Sequence, residues 1–393
     1  MAQEEMALLI LGTRGIPAQH GGFETFAEKL SLYLVGRGWD VTVYCQEDFD
    51  GKSAIHVDEW LGVRRFFIPV RQNGPIGTMV FDWRAIQHAM CEPGIPLILG
   101  YNTAIFSMLL RLGNRPIIVN MDGIEWRRNK WSRPAKAWLW LNDWVASLTS
   151  SVLIADHPEI VEHLATRRKR SDIFMIPYGG DPVLGTPVTS LSRYGIEAHK
   201  YLISICRLEP ENSILPMIRA FSRRQRRRKF LCIGKFDPCT NDYHRQIRDE
   251  ASAEICFPGP IYDHAVLASI REHAVAYCHG HTVGGTNPSL VEALGAGNAV
   301  IAHRNKFNLW TAGKDQFFFN NEDECAATFD VLETDPARLA RARAAARRQR
   351  ELLFTWEKVF AAYESLLLSL VLDRTLMGAS PAIGTRWPNP PAY

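Results

Sequence analysis

The order of elements in the first forty-five residues constrains the fold most. Ala7-Leu8-Leu9-Ile10-Leu11-Gly12 reads as a buried strand. It runs into Thr13-Arg14-Gly15-Ile16-Pro17 and then Gly21-Gly22. Phe23, Phe26, Ala27, Leu30 and Leu34 follow at helical spacing, and Gly38 marks the end of that helix. Val41-Thr42-Val43-Tyr44-Cys45 is a second strand. Strand, glycine loop, helix and strand make a βαβ unit at the start of a parallel sheet. The loop is too long, and Pro17 too awkward, for the dinucleotide fingerprint, which needs glycines directly after the strand. A tight strand-to-helix turn explains the glycines; it does not explain Arg14, His20 and Glu24 gathered on one loop.

A similar arrangement recurs near the other end. Apolar runs Ala274–Cys278 and Ala299–Ala302 read as buried strands around Gly284-Gly285-Thr286-Asn287-Pro288-Ser289-Leu290 and a short helix. Glycines let a backbone approach a ligand closely. A helix N-terminus offers unpaired N–H groups and partial positive charge, which suit a phosphate. The stretch can hold a diphosphate, with Glu292 one turn in, able to accept from sugar hydroxyls. Ser289 and Glu292 are equally spaced as a capping box, with Pro288 ordinary at a helix start.

Composition narrows the function classes. The chain has 393 residues, enough for two domains, with the 47% apolar and 22% charged content of a globular protein. A net charge of +3 is too small to argue for nucleic acid. Residues 1–6 carry Glu4 and Glu5 and no basic region, unlike a signal peptide. No apolar run approaches a membrane span. The eight cysteines form no Cys-x-x-Cys pair and read as reduced thiols of a cytoplasmic protein. His279 and His281 flank Gly280, too few ligands for a metal. Neither metal nor cofactor is expected.

Further strands are expected at Val63–Ile68, Leu97–Leu99, Ile117–Met121, Ser151–His157, Ile173–Asp181, Tyr201–Cys206, Phe230–Gly234 and Ile255–Ile261. Asn120-Met121-Asp122-Gly123 lies at a strand's carboxyl end, where open α/β sheets bind ligands. Asp122 and Glu125 are site candidates, and a turn-making Asp before Gly123 is the other reading. Residues 126–133 interleave tryptophan with arginine and lysine, and a helix follows through Trp138, Trp140 and Trp144. That pattern suits a headgroup interface or a core helix with a charged outer face. Pro182–Ser192 reads as a linker. Arg223–Lys229 reads as a solvated basic run, with anionic lipid contact as the sharper idea.

The runs GTRGIPAQHGGFETFAE and HGHTVGGTNPSLVEAL resemble a rhamnosyltransferase-type group within the retaining glycosyltransferases of family 4, which have the GT-B architecture. The resemblance runs from about Ala7 to Leu370. Family 4 has two glutamates eight positions apart; Glu292 matches the second, and Gly284 stands where the first would be. Arg207 matches an arginine that neutralises the donor diphosphate, and Asn212 occupies the position of the usual lysine. A bidentate guanidinium suits phosphate oxygens, and Lys235 can supply the missing charge.

The resemblance implies two doubly wound Rossmann-like α/β domains facing across a cleft. The N-terminal acceptor domain is expected over 1–185 and the donor domain over 186–350. A terminal helix over 351–372, opening Thr355-Trp356-Glu357, packs back on the first domain, and 373–393 form a flexible tail. It implies transfer of a sugar, rhamnose from dTDP-rhamnose, from a nucleotide diphosphate donor to a lipid-linked saccharide, with retention and without metal. Arg207, Asp122 and Glu292 are the expected catalytic residues, with Glu292 on the ribose hydroxyls. Gly21, Gly22 and Glu24, Lys235, Gly259 and Ile261 beside the base, and residues 284–290 line the substrates. A nucleotide-sugar epimerase or hydrolase on the same fold, and a non-catalytic subunit of a glycosylation complex, stay open.

Overall fold

The computed structural model describes residues 6–19, 21–51, 54–72, 74–113 and 115–375. His20, most of the N-terminal hexapeptide and the expected flexible tail from Gly378 lie outside the described residues. The chain divides into two compact units, one holding residues up to 177 and from 357 on, the other 178–356.

The first unit is built on eight strands: β1 (Ala7–Leu11), β2 (Asp40–Asp48), β3 (His56–Trp60), β4 (Val63–Val70), β5 (Ile95–Leu99), β6 (Ile118–Asn120), β7 (Val152–Ala155) and β8 (Ile173–Met175). Their order across the sheet is β3-β4-β2-β1-β5-β6-β7-β8. Only β3 runs antiparallel to its neighbour. Every residue of β1 is buried, as expected of a strand covered by helices on both faces. Each Leu or Ile so buried contributes about 1.5–3 kcal/mol. The helices are α1 (Gly22–Val35), α2 (Gly74–Ala89), α3 (Ala104–Ser107), α4 (Arg133–Thr149) and α5 (Pro158–Ala165).

The second unit has six parallel strands: β9 (Tyr201–Ile205), β10 (Lys229–Ile233), β11 (Ile255–Gly259), β12 (Ala276–His279), β13 (Ala299–His303) and β14 (Phe317–Phe319). They are ordered β11-β10-β9-β12-β13-β14. Its helices are α6 (Ile214–Ser222), α7 (Asp242–Glu250), α8 (His264–Glu272), α9 (Pro288–Gly295), α10 (Lys306–Ala312), α11 (Glu322–Thr334) and α12 (Pro336–Leu353). A continuous core joins Met217, Ile218 and Phe221 of α6, Phe230 of β10 and Phe329 of α11.

In each sheet the strand order reverses at one place: between β1 and β5 in the first, between β9 and β12 in the second. Loops leaving neighbouring strands in opposite directions open a crevice there, beyond the strands' carboxyl ends. Both candidate sites below lie at these reversals.

The last helix, α13 (Trp356–Thr375), returns to the first unit. Tyr363 packs on Phe26 with ring centroids 4.9 Å apart, and Tyr33 donates to Glu364 over 2.9 Å. The units change over at 177/178 and 356/357, not at 185/186 and 350/351. The Pro- and Gly-rich composition of 182–192 looks like a free linker, but the second unit holds it. Gly180 N donates to Phe354 O over 2.8 Å, Val183 N to Gly295 O over 3.1 Å, and the Gly185 and Thr186 amides to Glu272 over 2.7 Å.

Candidate functional site

The reversal in the second unit gathers the glycine-rich loop and the loop after β9. Gly280 leaves β12 so close to the neighbouring loop that an added Cβ would collide with Asn212 O. Thr282 N donates to Glu211 O over 3.0 Å. The Tyr277 hydroxyl lies 3.1 Å from Ile205 O and 2.9 Å from Ser289 Oγ, so it ties the end of β9 to the start of α9. Arg207 is exposed just beyond β9, its side chain 56% accessible, with Glu209 3.8 Å away. An accessible guanidinium on a strand-end loop can meet a diphosphate.

Asn212, where the sequence resemblance expects a lysine, is buried and structural: its Nδ2 donates to Arg207 O over 2.7 Å and braces the arginine's loop. Lys235 is exposed after β10, and Gly259 ends β11 with φ +81, followed by half-buried Ile261.

The helix start differs from the capping box. Asn287 is the cap: its Oδ1 accepts from Ser289 N over 3.1 Å and from Ser289 Oγ over 2.9 Å. The Asn287 carbonyl accepts from Leu290 N over 3.1 Å. Pro288 has no N–H, and the Ser289 and Leu290 amides are engaged. That moves the candidate phosphate donors upstream, to Gly284, Gly285 and Asn287. Thr286 is buried between them. Gly284 has φ +150 and open space where a Cβ would stand. Glu292 is free of the cap and ion-paired with Arg271 of α8.

His279 and His281 stack with ring centroids 4.1 Å apart. Burial, and then the second ring, hold His279 well below the usual histidine range, so it stays neutral. Among the described residues no group of three or more His, Cys, Asp or Glu is placed to hold a metal.

The reversal in the first unit holds a cavity of about 110 Å³. Gly12 after β1, Gly100 after β5 and Asp122 after β6 line it, with Asp82 of α2, Thr103 and Glu125. Asp122 has φ +51, and its amide donates to Asn120 Oδ1 over 3.1 Å. Asn120 Nδ2 in turn donates to the Tyr363 hydroxyl over 2.8 Å, so α13 steadies this turn. The surrounding protein, then the Glu125 carboxylate, push the Asp122 acid upward, against the solvent that its exposed side chain still meets. Burial raises Asp82 to about 6 against the hydrogen bond it accepts from Thr103 Oγ1 over 2.7 Å. Glu125 N donates to the Tyr101 hydroxyl over 2.7 Å.

Of the pocket's polar lining residues, Asp122 and Glu125 were legible as strand-end residues; Asp82, Tyr101 and Thr103 were not. Leu99-Gly100-Tyr101 carried the same strand-end signal. Asp82 had none, being an acid on a helix whose tertiary neighbours make it buried. Gly21 caps α1, Gly22 is its first residue and Glu24 is buried in its first turn, all outside this cavity.

The tryptophan-rich stretch is turned inward at its start. Glu125 accepts from Arg128 over 2.7 Å and from Trp131 Nε1 over 3.2 Å, with Lys130 at 3.8 Å. Trp126 Nε1 donates to buried Asp143 over 2.7 Å. The basic run 223–229 is also committed. Arg223 pairs with Asp323 at 2.6 Å, Arg224 with Asp330 at 2.6 Å, and Arg226 also with Asp330, fastening the end of α6 to α11.

The profile of a family described as a domain of unknown function, DUF1972, matches residues 5–181. No curated protein matches at the sequence level. Among solved structures, sucrose-phosphate synthase from Thermosynechococcus elongatus aligns at TM-score 0.78 and 16% identity, over 93% of this chain and 99% of that one. HepE from Anabaena, solved with UDP and glucose, aligns at TM-score 0.74 and 16% identity over 93% and 100%. A UDP-forming trehalose-phosphate synthase from Burkholderia xenovorans, solved with glucose 6-phosphate, aligns at TM-score 0.69 and 14% identity over 93% and 99%. At these identities the likeness is one of fold: two parallel-sheet, Rossmann-like α/β units of the GT-B type.

Proposed function

We propose that the protein is a glycosyltransferase that takes its sugar from a nucleotide diphosphate donor. The observation that carries this reading is the paired reversal: each unit brings its ligand-competent loops to one strand-order crevice. In the second unit those loops hold an exposed arginine and a glycine-rich helix start. HepE, of the same fold, was solved with UDP and glucose. The donor is assigned to the second unit and the acceptor to the first.

As the glycosidic bond breaks, the diphosphate gathers negative charge. Arg207, Lys235 and the amides of Gly284, Gly285 and Asn287 stabilise it, because fixed donors need no reorganisation as charge develops. Glu292, oriented by Arg271, accepts from the ribose hydroxyls. Gly259 and Ile261 flank the base. Asp122 orients the acceptor hydroxyl. Rhamnose from dTDP-rhamnose is the proposed donor sugar, transferred with retention to a lipid-linked saccharide.

The exposed side of α4 supports the lipid-linked acceptor. Trp140, Leu141 and Leu148 are accessible there, with Met108 and Leu112 on the adjoining turn. Among the described residues no helix is long and apolar enough to cross a membrane, so the proposed contact is peripheral.

A thermal-shift screen with nucleoside diphosphates and their sugars tests the reading, because a ligand that binds only the folded state raises the melting temperature. A rise with the dTDP series above the UDP series supports the rhamnosyl assignment. No rise with any nucleoside diphosphate overturns the transferase reading.

A further inference from the structure

The cavity of the first unit is lined by three carboxylates, Asp82, Asp122 and Glu125, and among the described residues no lysine, arginine or histidine lines it. Glu125 is already satisfied, accepting from Arg128 and Trp131 with Lys130 3.8 Å away, so among the described residues Asp82 and Asp122 are the lining carboxylates without a cation partner of their own. Thr103 turns its proton onto Asp82. The cavity therefore presents mostly hydrogen-bond acceptors. A water needs about 10–15 Å³ of such space, so the cavity has room for a group of roughly the size of one sugar ring.

We infer that this pocket binds an uncharged sugar through the sugar's own hydroxyl protons, and that it rejects phosphorylated sugars. That this sugar is the transferase's acceptor rests on the proposed function; its binding in the pocket does not. A carboxylate accepts from a hydroxyl in a charge-assisted bond. A phosphate placed in the same cavity brings negative charge against Asp82 and Asp122, while Arg128 and Lys130 are already engaged by Glu125, and in a partly enclosed site that repulsion is weakly screened. The related synthase from Burkholderia xenovorans was solved with glucose 6-phosphate.

The test uses the full chain and a panel of methyl glycosides beside hexose 6-phosphates, read by amide hydrogen exchange and by titration calorimetry. The expected result is protection of residues 98–104 and 78–86 by a methyl glycoside, with the phosphosugar weaker by roughly tenfold or more. Asp122→Asn, which keeps a residue tolerant of positive φ, should narrow that preference while the melting temperature holds. A phosphosugar that binds as tightly as the best glycoside overturns the inference, as does protection confined to other segments. UDP and dTDP binding is measured separately. Glycoside binding without nucleotide binding sinks the transferase and spares the pocket; nucleotide binding with a phosphosugar preference does the reverse.

Discussion

Arg271 at the end of α8 donates to the carboxylate of Glu292 on α9, and the two side chains are 11% and 33% accessible. The acid beside the glycine-rich loop is thus one half of an ion pair whose other half is nearly enclosed. Arg271 fixes where Glu292 points, and Glu292 satisfies a charge that would otherwise be stranded. Glu292→Gln keeps an acceptor for Arg271 but removes the charge. It should weaken nucleoside diphosphate binding by about tenfold, the worth of one charged hydrogen bond, and lower the melting temperature, because the nearly enclosed Arg271 loses its counter-charge. Arg271→Met should lower the melting temperature less, because the carboxylate it leaves unpaired is a third accessible to solvent, and it keeps the Glu292 charge. Thermal melts with and without nucleotide separate the two effects.

Arg207 is exposed and braces nothing through its side chain beyond a long contact to Glu209. Arg207→Ala should leave folding intact and lower transfer by roughly 10²–10³, the cost of losing one donor to a developing anion. Wild-type transfer in that variant would remove Arg207 from the chemistry. Circular dichroism and initial rates decide it.

The fate of the missing lysine can be tested directly. Asn212→Lys installs the lysine that the sequence resemblance expects at a position that is buried and hydrogen-bonded to Arg207 O. An ammonium there loses its hydration and the brace is lost. The variant should be less stable and should not gain donor affinity. Gly280→Ala, which drives a Cβ into Asn212 O, should disturb the same loop from its other side and lower both stability and nucleotide binding.

Asp82 gives a pH signature. Its folded acid sits at about 6, above the ordinary carboxylate value, because it is buried. Between about pH 4 and 6 the folded state holds a proton that the unfolded state has lost. Stability from this group is therefore complete below pH 4 and lost as pH rises through 6. Asp82→Asn removes the cost of ionising it. The variant should be more stable than the parent at pH 7, by up to about 3 kcal/mol, and the gap should close toward pH 4. Denaturant melts across that range check it.

Buried parallel strands announce themselves, and so most of the fold was legible. Leu8 to Leu11, Val41 to Cys45 and Ala299 to Ala302 are continuous apolar runs because both faces of the sheet are covered. β3 was not legible. It is an antiparallel edge strand, exposed from His56 to Glu59, so no apolar period marks it. The second-unit site could be read in part, since glycines at a strand end have a local cause. The bonds that shape it could not: Asn287 taking the cap from Ser289, and Arg271 taking Glu292, depend on side chains meeting across the fold. The first-unit cavity was half legible for the same reason, with Asp122 written at a strand end and Asp82 hidden in a helix.

Gly284 sets a boundary on what this loop can become. With φ at +150, the backbone there follows a path that only glycine follows without strain. Installing the absent acid by a single replacement would have to bend the main chain as well as add the side chain. A change in sugar preference is therefore more accessible through the neighbours of that turn than through the turn itself, and mutational searches for new donors should begin at Thr282, Val283 and Gly285.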